Sequence, residues 1–251
     1  MSDAPLLAHL IELRTRLMRV VLAWLLATAA CYLVAEDIYQ FLLQPLADIF
    51  ADQPRRLIAT SLTETFVTYL KLALYGGFFL AFPYIAAELY LFIAPGLYKR
   101  ERAVLLPYLA AAPLLFFGGA ALAYYVVMPK AWAFFVSFES PNMAEGMPLV
   151  VEAKVSEYLS LVMQIILAFG LSFQLPIVLT LLVRVGLLTT ERLARNRRYM
   201  VVILAVVAAF LTPPDIFSQI LLLIPLYGLY ELSILACRVI ERKKIGSEVE
   251  I

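Results

Sequence analysis

The stretch GLYKRERA, Gly96 to Ala103, sets one carboxylate, Glu101, among Lys99, Arg100 and Arg102 between two long apolar runs. A carboxylate in that company has three uses. It pairs with Arg100 or Arg102; it caps the helix that follows, where negative charge is favourable; or it accepts a guanidinium from another molecule through charge-assisted hydrogen bonds. Further polar groups fall in or beside apolar runs, where a charge costs roughly 2.5–3.5 kcal/mol on insertion. Lys71 lies about one turn inside its run and reaches the outer surface by extending its stem. Glu88 lies near the inner end of the same run, either as a solvated rim acid or as a functional one. Glu231, with Arg238 nearby, reads as half of a structural ion pair. Gln174, two residues before Pro176, either satisfies the backbone carbonyl that the proline frees or contacts a transported or inserted chain.

Other chemistries are missing from the chain. His9 is the one histidine, so no His-based metal site or proton relay is expected. Cys31 and Cys237 both sit in apolar runs and read as buried, unpaired thiols. No GxxxxGK[ST] run is present. Neither a metal nor a cofactor nor nucleic acid is expected, and any driving energy comes from partners or the proton gradient.

The elements that position these groups are membrane helices. The chain is 63% hydrophobic and 16% charged, with a mean hydropathy of +0.89, outside the range of soluble domains. Crossing about 30 Å of hydrocarbon takes roughly 20 apolar residues. Six apolar segments are expected, at about 19–36, 67–94, 103–128, 157–183, 199–211 and 216–237. Alternation of the strand type is absent, so the expected fold is an all-α integral membrane protein of six transmembrane helices, one domain over residues 1–251. The first segment lacks a nearby small-residue cleavage site and is expected to be retained.

Charge sets the orientation. Fifteen of the twenty lysines and arginines fall in the N-terminus, the loop after the second segment, the loop after the fourth and the tail. By the positive-inside rule both termini are cytoplasmic. The fifth and sixth segments are expected to be short, the fifth at about thirteen residues and the sixth interrupted by Ser218, Gln219, Pro225 and Glu231. The turn TPPD joins them, its prolines stopping the fifth helix and Asp215 capping the sixth. A short hairpin must thin the bilayer or shelter behind other helices.

Four segments in order, HLIELRTRL, FIAPGLYKRER, SFQLP and LTPPDIFSQ, make the chain resemble the TatC family, the multispanning receptors of the twin-arginine protein translocase. The resemblance covers nearly the whole chain. It implies a receptor and scaffold in the bacterial cytoplasmic (inner) membrane, not an enzyme, that binds the paired arginines of signal peptides on folded cargo. Partners implied are small single-span subunits of the TatA and TatB type, membrane lipid and further copies of the chain. Carried onto this sequence, signal-peptide binding falls to Glu12 and Glu101, with Arg14, Phe92 and Pro95 belonging to the same pattern and Glu88 as a further candidate. Pro45, Phe66 and Asp215 match outer-side positions for partners or translocation. Gln174 stands where relatives often carry glutamate, so a titrating acid there is in doubt. The alternative from another class is a secondary transporter for a small solute, against which stand the missing inverted repeat and the missing pair of broken helices around one midplane site.

Overall fold

The computed structural model describes residues 3–50, 58–59, 61–93, 102–138, 154–211 and 216–249. Among these the elements are helices: α1 (Asp3–Leu33), α2 (Ala35–Ile49), α3 (Leu62–Ile93), α4 (Arg102–Leu122), a π-helical turn (Ala123–Val127), α5 (Met128–Val136), α6 (Val155–Ser172), α7 (Leu175–Arg184), α8 (Thr190–Arg195), α9 (Arg197–Leu211) and α10 (Ile216–Val249). The extended residues are confined to one isolated bridge, Ile58 with Lys154. Packing divides the chain into two compact units, Met1–Pro113 with Leu149–Met163, and Leu114–Pro148 with Gln164–Ile251.

In the first unit α1 lies along α3. The approach is close because Gly77 has no side chain: a β-carbon there would stand 2.6 Å from the Thr28 backbone nitrogen. Trp24 Nε1 donates to the Leu74 carbonyl at 3.0 Å across the same seam. Only 6% of α1's apolar window is buried inside the protein, so most of that window faces away from the rest of the chain. Val34 separates α1 from α2, a helix not expected from the sequence, whose first turn carries Glu36 and Asp37 where the helix dipole favours acids. Tyr158 at the start of α6 donates to the Leu42 carbonyl of α2 at 2.9 Å. Glu64 ties two helix starts together, accepting from the amides of Ser61 at 3.3 Å and Ser156 at 3.2 Å.

In the second unit the breaks follow the prolines. Pro176 has no N–H for the Ser172 carbonyl, so the expected single segment 157–183 is two helices with a turn at Phe173–Gln174. The π-helical turn ends two residues before Pro129, where widening absorbs a missing bond. Gly186, at φ +82°, closes α7. On α10 the residues Leu222, Leu226, Tyr230, Ser233, Ile234 and Cys237 are fully buried at spacings of three and four, the stripe of a core-facing helix. Tyr230 donates from that stripe to the Leu193 carbonyl of α8 at 2.7 Å, and Gln219 to the Ala205 carbonyl of α9 at 3.0 Å.

Among the described residues, five helical stretches are long and apolar enough to cross a membrane: His9–Leu33, Thr63–Phe92, Pro107–Val136, Val155–Arg184 and Gln219–Val239. The fifth expected segment, α9, is 15 residues long, and its shortness agrees with the sequence. The expectation of a short sixth helix is corrected. α10 runs 34 residues without a break, through Ser218, Gln219, Pro225 and Glu231, and its apolar part is 21 residues. One proline removes one donor, and the surrounding backbone bonds carry the helix past it.

Adjacent glycines in α4 supply a test of the second unit's packing. A β-carbon on Gly119 would sit 2.7 Å from the Phe169 carbonyl oxygen and the Phe173 ring, whereas one on Gly118 meets nothing within 4 Å. Gly119→Ala is expected to cost about 1–3 kcal/mol, the range of overpacking. Gly118→Ala is expected to be neutral or to stabilise by up to about 1 kcal/mol. Thermal melts of the purified protein in detergent compare the two; equal melting points would refute the assigned packing face.

Candidate functional site

Four residues of α1, His9, Glu12, Arg16 and Arg19, recur at spacings of three, four and three and therefore share one face. Three of α3, Tyr84, Glu88 and Phe92, recur every four residues and face them. The Arg16 guanidinium sits at the centre. Its Nε and Nη2 donate to Glu12 Oε1 at 2.9 and 2.8 Å, and its Nη1 donates to Glu88 Oε2 at 2.7 Å. The other Glu88 oxygen accepts from the Tyr84 hydroxyl at 2.9 Å and has Arg19 Nη1 at 3.8 Å. One turn toward the N-terminus, the His9 ring stacks on Phe92 with centroids 4.4 Å apart and planes at 17°.

Exposure is graded through this cluster. The Glu88 side chain is 8% exposed, Arg16 20% and Glu12 34%. Glu88 is thus not a solvated rim acid: it is buried and carries three partners, which is how a buried carboxylate stays ionised at tolerable cost. Glu12 gives one oxygen to Arg16, and among the described residues its second, Oε2, has only His9 Nδ1 near it, at 4.0 Å.

The remaining sequence candidates fall elsewhere. Arg14 is exposed and two residues off the shared face. Pro45 is buried within α2, and Phe66 is exposed near the start of α3. Gln174 is half-buried in the turn between α6 and α7. Lys71 is exposed. Pro95, Glu101 and Asp215 lie outside the described residues. Glu231 is in an ion pair as expected but with a different partner. Arg197 donates from Nη2 to Glu231 Oε2 at 2.8 Å with Nε 2.8 Å from Oε1, and Tyr227 donates to Oε1 at 2.9 Å; Arg238 is exposed.

Arg16 is the residue that the sequence reading passed over. The signal was present as an acid and an arginine four apart on a helix, Glu12 to Arg16, but its long-range partner is 72 positions away. Among the described residues no group of three or more His, Cys, Asp or Glu is placed to hold a metal, and both cysteines are free and buried.

Among the described residues, five helices of crossing length and a guanidinium–carboxylate cluster between α1 and α3 define a polytopic membrane protein. A family model described as Sec-independent protein translocase protein (TatC) matches residues 8–225. A TatC protein of Rickettsia prowazekii is 47% identical over 93% of this chain and 92% of its own length; that of Escherichia coli K12 is 39% identical over 93% and 88%. A crystal structure of the twin arginine translocase receptor TatC is similar with a TM-score of 0.80 at 34% identity, covering 92% of this chain and 98% of that one. The chain belongs to the TatC family. It is a subunit of the Sec-independent protein translocase, a multispan protein of the inner membrane that works in a complex, and not an enzyme. That membership leaves the small-solute transporter without support.

The ion network predicts unequal arginines on α1. Arg16→Ala leaves Oε2 of buried Glu88 without its hydrogen bond and is expected to cost about 1.5–3 kcal/mol, the range for hydrogen bonds to charged groups. Arg14→Ala is expected to stay within about 0.5 kcal/mol, as for an exposed residue. Detergent melts of the two variants check the order, which must not invert.

Proposed function

We propose that this chain is the receptor subunit of its translocase. At the cytoplasmic face, Glu12 and Glu101 together take the paired arginines of signal peptides carried by folded cargo. The observation that supports this reading is the His9–Phe92 ring stack, which brings the start of α1 against the end of α3. Phe92 is nine positions before Glu101, so Glu12, one turn from His9, stands at the foot of the segment carrying the second acid. Two acids in reach of one guanidinium pair discriminate arginine from lysine, because arginine's planar fork fills fixed acceptors and a point-like ammonium does not. The cations around Glu101 weaken general attraction to basic segments, leaving geometry to select the ligand.

The proposed topology has six crossings with both termini cytoplasmic, α9 being the fifth. At 15 residues α9 is about 22 Å long and needs a thinned bilayer or neighbouring helices. Small single-span subunits of the TatA and TatB type, and further copies of this chain, supply those neighbours and drive export with the proton gradient. Pro45, Phe66 and Asp215 serve that outer or partner side, and Gln174 acts as a neutral hydrogen-bonding group within the membrane.

The test is photocrosslinking of membrane-inserted protein to a signal peptide bearing an Arg-Arg pair and to its Lys-Lys variant. Wild type is expected to prefer the Arg-Arg peptide, and Glu101→Gln to lower that crosslinking roughly tenfold, the value of one charge-assisted bond. Unchanged crosslinking in the variant, or no preference in wild type, removes Glu101 from the role. Neutralising Asp215 is expected to impair transport or partner assembly with peptide crosslinking intact; lost crosslinking there contradicts the topology.

A further inference from the structure

The α1–α3 cluster has a direction as well as a composition. Glu88 is the most buried member and is saturated: Tyr84 and Arg19 on one oxygen, Arg16 on the other. Arg16 spends Nη1 on this anchor and turns Nε and Nη2 onto a single oxygen of Glu12, Oε1. Glu12 is the most exposed of the three, and among the described residues its Oε2 has only His9 Nδ1 near it, at 4.0 Å. From the core outward, then, the order is an anchor carboxylate, a guanidinium fixed by it, and a second carboxylate fixed by that guanidinium with one oxygen open.

We infer that Glu88 and Arg16 are positioning residues for arginine recognition: Glu88 anchors Arg16, and Arg16 holds Glu12 with Oε2 presented to the incoming guanidinium. This rests on the receptor reading of Glu12. A free glutamate on a helix surface samples several rotamers, and holding one removes that entropy cost from the binding step. The anchor also matters electrostatically. An arginine paired with Glu12 alone would cancel the charge that the ligand is to meet; shared with buried Glu88, it leaves Glu12 a usable acceptor. Because Oε1 is occupied, Glu12 offers the guest one oxygen and not a two-pronged grip. The second acceptor must come from another residue, so selection of arginine needs two acids held in fixed relation.

A mere staple between α1 and α3 needs only the Arg16–Glu88 contact, and exchanging the two charges separates the alternatives. Arg16→Glu combined with Glu88→Arg keeps an ion pair across the seam but faces Glu12 with an acid four residues away. The same crosslinking assay is run on this exchange, on Arg16→Gln with Glu88→Gln, which strands no buried charge, on Arg16→Lys, and on Glu12→Gln. Positioning predicts that the exchange and the neutral pair lower Arg-Arg crosslinking roughly tenfold. It also predicts that they bring the Arg-Arg to Lys-Lys ratio toward one, that Arg16→Lys loses less, and that neither adds to the loss in a Glu12→Gln background. If the exchange folds and keeps the wild-type ratio, or if the neutral pair does so where the exchange fails to insert, the residues are a staple and the inference is overturned. If their losses multiply with that of Glu12→Gln, they act independently of Glu12 and it is likewise overturned. If Glu12→Gln itself leaves crosslinking and preference intact, the receptor reading of Glu12 falls and the inference falls with it. That outcome is distinct from the case in which Glu12→Gln abolishes preference and the exchange does not.

Discussion

A charge enclosed by apolar helices has to find its counter-charge and its hydrogen bonds inside the chain, because neither water nor lipid will supply them. Glu88 is such a charge, and a related arrangement, half-exposed, occurs at Glu231 in the other compact unit. In each, a tyrosine four residues before a glutamate donates to Oε1 at 2.9 Å, and an arginine from another helix takes Oε2: Tyr84, Glu88 and Arg16 in one, Tyr227, Glu231 and Arg197 in the other. The tyrosine occupies Oε1 from within the glutamate's own helix, while the arginine bonds Oε2 and, at Glu231, also brings its Nε 2.8 Å from Oε1, so the carboxylate is held from two helices.

This constraint explains why α1, which buries little of itself, is nonetheless held. Its apolar window has no core to enter, and between apolar side chains and lipid tails there is scant hydrophobic preference. What fixes α1 on α3 is close backbone approach at Gly77 beside Thr28, the Trp24 bond to the Leu74 carbonyl, and the Arg16–Glu88 pair. The three lie along one seam, and the charged contact is near the end where His9 meets Phe92. In the second unit α10 has the opposite character, with a continuous buried stripe and hydrogen bonds to α8 and α9.

Legibility in the sequence tracked the range of each interaction. Helix identity was readable because apolar length is a local property, and the shortness of α9 because a short apolar run is local too; the break before Pro176 was not, since one apolar run spans both of its helices. The length of α10 was misjudged because Pro225 and Glu231 look like interruptions when counted as residues. In the structure the helix bonds bypass the proline and Arg197 neutralises the acid. α2 was missed since its 15 residues mix acids and apolar groups at a density too low for a span. The charged cluster was half legible. Glu12 was named, and its partner stood one helical turn further on, but nothing in the chain order links Arg16 to a glutamate 72 positions later. Arg14 drew attention in its place, although two residues on a helix turn a side chain by about 200°, away from the shared face.

The graded exposure of the α1–α3 cluster separates its saturated part from the part left open. A site built only to hold helices together would saturate every member, as Glu231 is saturated by Arg197 and Tyr227. Glu88 meets that description, with both oxygens bonded and 8% of its side chain exposed. Glu12 does not: it is bonded twice on one oxygen and, among the described residues, accepts no hydrogen bond on the other, at the edge of the cluster toward Phe92. Stability alone gains nothing from that asymmetry. A carboxylate fixed by one oxygen and open at the other can accept a guest without first abandoning a partner, which a fully paired acid cannot do.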